Sequence, residues 1–448
     1  MREKDWLPLL RLIESGQSRE GSAPYPPVAA WGPVRDDAPR RAWSRVFSER
    51  AEFEVYAHIP FCRSVCFFCN TGARRVASCA DREAYLRALL REIDIYGAMK
   101  PRRCPSRLFI GGGTPNLLSP RQLSELLGAL REGLGAAPDA ETVMEVNPDF
   151  LDDPRLKALK DGGVGVLSLG LESLDQRLVD SLGRTQTVRA VSRAYMRSRR
   201  AGFRRIIVDM IAGLPGQSER AFLRDLSVAA SWRPDEICME RFSPERTAFE
   251  KCGGRLSAAD RARSGLLIEA GFRLLRSMGY HHRNNEPFAS LRPGEQGGRP
   301  FSSRFDGRSI LGLGLGSLSH IWGRWRSRNT LSEKEYAAAA ASGRLPAASG
   351  IVLRPRDEKV NYVLDSLSSG WLDRSEYKRL FGRPPELDFG SALSELVGKG
   401  RLLKKGREYA VVRPDRADLE CAPLFYSRSV IRRLVDASGP RRDALWKK

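Results

Sequence analysis

Tyr56–Asn70 reads YAHIPFCRSVCFFCN, and within it Cys62, Cys66 and Cys69 are spaced C-x3-C-x2-C. The run Phe53–Ile59, FEVYAHI, is apolar and β-prone with polar interruptions, which predicts a strand. Pro60 stops the ladder and starts a loop. Three thiols therefore sit on a loop at the end of a strand. Thiolates hold iron–sulfur clusters, and a short loop can wrap an iron–sulfur cube if its cysteines converge. Three ligands would leave one iron open to another molecule. Other readings stand beside this one. Disulfides at such short range are strained. A structural zinc ion wants a fourth ligand, and no second cysteine pair follows. Chance clustering among eight cysteines is the third.

A chain of 448 residues with 42% apolar content can hold one large domain and a smaller one. It has no run of about 18 apolar residues, so no membrane span is expected. The start, MREKDWLPLLRLIESG, reads as a short charged amphipathic helix and lacks the apolar core of a signal peptide. The expected compartment is a reducing cytoplasm. The formal net charge is +21, yet it is spread along the chain in short arginine clusters such as Arg74-Arg75 and Arg204-Arg205. That distribution predicts a solvated Arg-rich surface, with an acidic substrate or partner second; nucleic acid is not expected.

From Phe53 onward strands and helices alternate. Strands are expected at 53–59, 107–110, 142–146, 165–169, 205–211 and 236–241. Helices are expected near 81–98, 119–133, 153–161, 175–182, 187–201, 218–231 and 257–278. Asp81 is the expected cap of the first, and Ser119 with Pro120 opens the second. About six βα units predict an α/β fold, an incomplete parallel (β/α)6 barrel, with its site at the carboxyl ends of the strands. Residues 1–50 form an N-terminal arm and 51–345 the barrel. Residues 350–448 form a small α+β domain of short helices followed by a hairpin at 400–412, which is winged-helix-like. A basic winged helix can bind DNA; a lid is the preferred reading.

Five motifs follow one another: HIPFCxxxCxxC, FIGGGTPNLLS (Phe109–Ser119), MEVNPDFL (Met144–Leu151), LSLGLESLDQRLVDSLGR (Leu167–Arg184) and VDMIAGLPGQS (Val208–Ser218). Their order and spacing resemble the radical S-adenosylmethionine (SAM) superfamily. The branch is that of oxygen-independent coproporphyrinogen III dehydrogenase, its haem-chaperone relatives and the class C radical methyltransferases. The resemblance covers residues 50–330 well and the rest weakly. It implies a 4Fe-4S cluster on Cys62, Cys66 and Cys69, with SAM, in two molecules, as the other cofactor. It also implies a cofactor site formed by Tyr56, Phe68, Gly112, Gly113, Thr114, Glu145, Glu172, Arg184, Asp209 and Ser243; Asn329 matches in position only. The Gly-rich stretch Ser309–Gly323 resembles the family's G-x-G-x-[SG] stretch near the second cofactor site. The arm, through APYPPVAAW, and the C-terminal lid are expected over the barrel mouth. One electron delivered to the sulfonium would release methionine and a 5′-deoxyadenosyl radical, which abstracts a hydrogen atom.

Departures from the dehydrogenase set the expected substrate. Asn70 and Thr71 replace a Gly-Cys pair, Glu172 replaces a glutamine, and RPFSSRFDGRS departs from the usual wording before the glycines. The leading expectation is a class C enzyme that transfers a SAM-derived methyl or methylene carbon to an sp2 carbon of a small-molecule substrate. Its partners would be a reducing protein such as flavodoxin or ferredoxin and a partner methyltransferase. The alternatives are coproporphyrinogen-type oxidative decarboxylation or another haem-processing reaction, and a non-enzymatic haem chaperone.

Overall fold

The computed structural model describes residues 25–35, 37–49, 51–76, 78–244, 247–282, 289–292, 294, 307–368, 370–412, 421–427 and 429–432. The helix expected at the very start, and most of RPFSSRFDGRS, lie outside these residues.

Six strands run parallel in chain order: β1 (Phe53–Ile59), β2 (Arg107–Gly112), β3 (Glu141–Val146), β4 (Val166–Glu172), β5 (Arg205–Ala212) and β6 (Glu236–Arg241). Each is linked to the next by one or more helices on the outside. Burial on both faces explains their apolar runs. In β1, Phe53, Val55, Ala57 and Ile59 are each no more than 1% exposed, while the alternate residues Tyr56 and His58 are partly exposed.

Ser309–Leu313, expected only as part of a glycine-rich stretch, is a seventh parallel strand, β7, paired with β1 from Ser309–Phe53 to Leu313–Ala57. The chain then turns back at Leu318–Ile321 and continues antiparallel through Trp325–Asn329 and Ala347–Val352 to Gly32-Pro33. At the other end β6 pairs antiparallel with Ala289–Leu291. The barrel is thus open, as expected, but flanked by antiparallel strands that the six-unit reading did not contain.

The helix after β1 spans Cys79–Gly97, and its cap is Ser78, not Asp81. The Ser78 hydroxyl accepts the Asp81 N–H, which puts Asp81 in the first turn, where its charge suits the helix dipole. Ser119 does cap the next helix, Pro120–Gly128, in a reciprocal box with Gln122.

The C-terminal part has helices Pro355–Ser368, Arg374–Phe381 and Pro385–Gly398. The hairpin Leu402–Lys405/Glu408–Val411 is joined by a third strand, Trp371–Asp373. It packs its own apolar cluster, in which Val363, Leu372, Tyr377, Leu393 and Phe425 are essentially inaccessible. Tyr25 of the arm is buried in that cluster, and its hydroxyl accepts the Ser427 N–H. At the junction, Glu358 accepts from the Gly323 N–H at 2.8 Å and from Arg326 at 3.2 Å, and pairs with His320 at 2.6 Å. Arg326 also donates to the Tyr25 carbonyl at 2.8 Å. Burial opposes ionisation of Glu358, but His320, Arg326 and the Gly323 N–H outweigh it and hold its carboxyl below the usual range. Among the described residues no helix is long and apolar enough to cross a membrane.

Candidate active site

The carboxyl ends of β2 to β6 and the loop after β1 enclose a cavity of about 300 Å3. Of the residues expected at the site, Cys62, Cys66, Cys69, Phe68, Gly112, Gly113, Thr114, Glu145, Glu172, Arg184, Asp209 and Ser243 all line it. Tyr56 does not. It lies one layer deeper among Phe109, Val143, Val166 and Ile207, and its hydroxyl is hydrogen-bonded to His58 Nδ1 at 2.9 Å. Asn329 is likewise elsewhere, buried among Glu92, Gly314 and Ser317. None of the described residues of the arm, 25–35 and 37–49, or of the C-terminal part lines the cavity.

The thiol loop is fixed at several points. Phe61-Cys62 pairs with Arg74-Arg75, the Phe67 N–H donates to the Leu182 carbonyl, and the Phe249 N–H donates to the Phe67 carbonyl. Cys62 is buried and accepts from the Thr114 hydroxyl at 3.2 Å. Burial raises its pKa, and burial pushes the Cys66 thiol up to about 12, with Arg184 opposing. Thiols in such surroundings ionise when a metal supplies the compensating charge. Among the described residues no three His, Cys, Asp or Glu side chains surround a point suited to one metal ion. In an iron–sulfur cube each thiolate meets its own iron, so the three cysteines need not converge on one point.

The glycine triplet is sterically required. A Cβ on Gly111 would come within 2.7 Å of Glu145 Oε2, and one on Gly113 within 2.7 Å of the Phe61 carbonyl and 3.0 Å of Cys62 Sγ. Gly112 has φ +115°, and a Cβ there would meet the His58 ring at 2.6 Å. Backbone therefore forms the wall beside the thiols, leaving room for a ligand.

Carboxylates form the other walls. Glu145 accepts the Gly112 N–H at 2.8 Å; burial, with the charges of Glu240 and Glu172, lifts its pKa to about 7 despite that bond. Asp209 accepts from Ser168 at 2.6 Å, and burial, then repulsion from Glu240, Glu172 and Glu145, holds it well above the usual carboxylate range. Glu172 pairs with Arg184 at 2.6 Å, which only partly offsets the burial that raises its pKa. Its φ is +63° at a bulge in β4, a strained conformation for a residue with a side chain. Arg184 also donates to the Gly170 carbonyl and to Gln186. Acids crowded around a cavity favour a cationic ligand bearing hydroxyl groups, a description that fits SAM.

Sequence reading missed Glu240, Arg241 and Ser168, which also line the cavity. A signal for Glu240 exists: like Glu145, it is an acid one residue before the end of a strand. His58 was missed as well. Its ring lies against Gly112, and desolvation there, with the Arg74 charge adding, lowers its pKa to about 4.

The family model described as the radical SAM superfamily matches residues 56–229. A haem chaperone, HemW, of Synechocystis is 31% identical over 61% of this chain and 68% of its own. The oxygen-independent coproporphyrinogen III oxidase of Bradyrhizobium diazoefficiens is 25% identical over 88% of this chain and 90% of its own. In structure, the coproporphyrinogen III oxidase HemN of Escherichia coli superposes with a TM-score of 0.73 at 24% identity, covering 95% of this chain and 98% of that one. The chain belongs to the radical SAM superfamily, in its HemN-like branch. Its cofactors are a 4Fe-4S cluster and SAM. These relatives are porphyrinogen oxidases and a haem chaperone, so the expected class C methyl transfer gives way to the alternative reading.

Proposed function

We propose that this protein is a HemN-like radical SAM enzyme whose substrate is a porphyrinogen or related tetrapyrrole, processed by oxidative decarboxylation. The observation that carries the reading is the meeting, in one cavity, of the thiol loop, the glycine wall and the carboxylates at the strand ends. Relatives with the oxidase name match along most of the chain, C-terminal part included, which supports the substrate class.

In this reading Cys62, Cys66 and Cys69 hold the cluster, and Thr114 supports Cys62 from behind. Gly112 and Gly113 let the backbone close on SAM. Glu145 and Asp209 receive its cationic and hydroxyl groups, Arg184 holds Glu172 in place, and Phe68 with Ser243 shapes the far wall. A cluster held by these three cysteines would supply the one-electron reduction that starts cleavage of SAM. The cavity walls orient the substrate and exclude water. Arg63, exposed at the rim, offers a cation to an acidic substrate. A second SAM rests on family likeness, and flavodoxin or ferredoxin would serve as reductant.

The test is product analysis of anaerobically reconstituted protein with dithionite, SAM and coproporphyrinogen III. The reading expects 5′-deoxyadenosine together with loss of carbon dioxide from the porphyrinogen. Deoxyadenosine with an untouched porphyrinogen, and S-adenosylhomocysteine in its company, would return the protein to methyl transfer. A second reading, haem carriage, is favoured by the identity with the haem chaperone; stoichiometric haem binding without SAM cleavage would establish it.

A further inference from the structure

The cluster can work only if an electron reaches it from outside, so the protein surface over the thiol loop has a partner to meet. This inference rests on the reading above. The loop and its return strand, Phe61–Val76, contain three arginines and no carboxylate. Arg74 is paired with Glu333 at 3.0 Å. Arg75, whose backbone pairs with that of Cys62, is exposed and has no acidic partner among the described residues. At the other end of the loop, where Phe249 bonds to Phe67 and packs against its ring, Lys251 and Arg255 are exposed and also lack one. Glu250 is the one acid of Thr247–Leu256. Between the two groups Val65, next to Cys66, is 40% exposed.

Several exposed arginines elsewhere stand beside carboxylates, Arg45 with Glu49, Arg121 with Glu83 and Glu125, and Arg204 with Glu141, whereas Arg75, Lys251 and Arg255 have no such partner among the described residues. Cations without acidic partners on both flanks of the thiol loop, with a small exposed apolar residue beside Cys66, make a docking face for an anionic protein. Such a face steers encounter and orientation more than it adds affinity, which suits a carrier that must bind and leave.

We propose that the surface formed by Arg75, Val65, Lys251 and Arg255 docks a small acidic one-electron carrier, a flavin or iron–sulfur protein, which gives one electron to the cluster and leaves oxidised by one electron. The probe is an acidic flavodoxin, used with full-length reconstituted protein. Its affinity for the oxidised form is measured by surface plasmon resonance, and SAM cleavage is driven either by the photoreduced flavodoxin or by dithionite. The triple change Arg75→Glu, Lys251→Glu, Arg255→Glu is expected to weaken flavodoxin binding and slow flavodoxin-driven cleavage by about tenfold or more at low salt, the scale of electrostatic steering. Raising the salt should shrink the difference. The dithionite-driven rate should hold. Unchanged flavodoxin binding overturns the proposal, and so does an equal fall with both reductants. Binding of a DNA duplex lost in parallel overturns it too, because the face would then be a general polyanion surface. Failure of wild-type protein to cleave SAM with dithionite counts against the proposed function instead, while flavodoxin affinity still reads the surface.

Discussion

Glu145 and Glu92 are both buried carboxylates whose pKa burial raises to about 7, yet they sit in opposite circumstances. Glu145 faces the cavity and, among the described residues, receives a single hydrogen bond, from the Gly112 N–H. Glu92, on Cys79–Gly97, receives three: the Gly314 N–H at 2.8 Å, Asn329 Nδ2 at 2.8 Å and the Tyr336 hydroxyl at 2.5 Å. The second arrangement knots β7, the antiparallel strands and helix Glu333–Ala341 onto the barrel. A buried acid whose acceptor capacity is filled by the protein is scaffold; one whose capacity is left for something else marks a ligand site. The thiols make the same contrast with the triad of Glu358, His320 and Arg326, whose groups satisfy one another.

The largest effect should come from the unsatisfied region. Cys62→Ala removes a cluster ligand rather than a supporting group. Loss of an outer partner typically costs roughly 10–100-fold in metal affinity, so loss of the ligand should take iron content and SAM cleavage to background. The melting temperature of the metal-free protein should change little, because Cys62 bonds only weakly there. Iron content near the wild-type level would break the distinction between site and scaffold.

The satisfied region should respond the other way. Glu358→Ala leaves Arg326 buried without its partner carboxylate, a change expected to cost about 3–5 kcal/mol. Urea denaturation should show early loss of the C-terminal part. SAM affinity should stay within about twofold, because none of the described residues of that part lines the cavity. A large fall in affinity with unchanged stability would make the triad part of the site.

Much of this contrast was invisible in the sequence. The alternation of apolar runs with helix caps placed the six barrel strands within a few residues, because parallel strands buried on both faces leave an unambiguous pattern. The motif cysteines and glycines marked the mouth because they follow directly on strand ends. Tyr56 was read as a cavity residue, but side chains in a strand alternate and its ring turns into the barrel floor. Glu92 gave no signal at all. Its partners Gly314 and Tyr336 are 222 and 244 residues away, and an acid inside a helix otherwise looks like surface. Arg326 and Glu358 were hidden for the same reason. Ser309–Leu313 was given no strand because it stood out only as glycine-rich; at Gly312 the glycine gives clearance, a Cβ there falling 2.2 Å from the Leu318 carbonyl oxygen.

Glu92→Gln tests the scaffold assignment through pH. A carboxyl whose folded pKa lies above its unfolded value stabilises the fold fully only below the unfolded pKa. That stability is lost as pH rises towards the folded pKa near 7 and is flat beyond it. Wild-type protein should therefore lose on the order of 3 kcal/mol between about pH 4.5 and 7 through this group, and the glutamine variant should lack that slope. Denaturant titrations across the range give the comparison; identical slopes would show that Glu92 is already ionised in the folded protein.

The smallest effect is the most diagnostic of the cavity. Glu145 in the ligand-free protein is half protonated near pH 7, and a cationic ligand binds its ionised form better. SAM affinity should rise about tenfold from pH 6 to pH 8 if the bound carboxyl stays ionised throughout, the limit set by one titrating group. Glu145→Gln should flatten that rise and bring affinity at pH 8 down to about the wild-type value at pH 6. Glu172 and Glu240 raise the same pKa by repulsion, so Glu172→Gln should move the midpoint to lower pH without abolishing the slope. Arg184 would then lose the anion it pairs with, and its guanidinium would turn to the ligand instead. Isothermal titration of SAM into reconstituted protein at each pH separates the outcomes: a flat wild-type profile would assign Glu145 to the scaffold with Glu92, and the single hydrogen bond it receives would no longer distinguish the two regions.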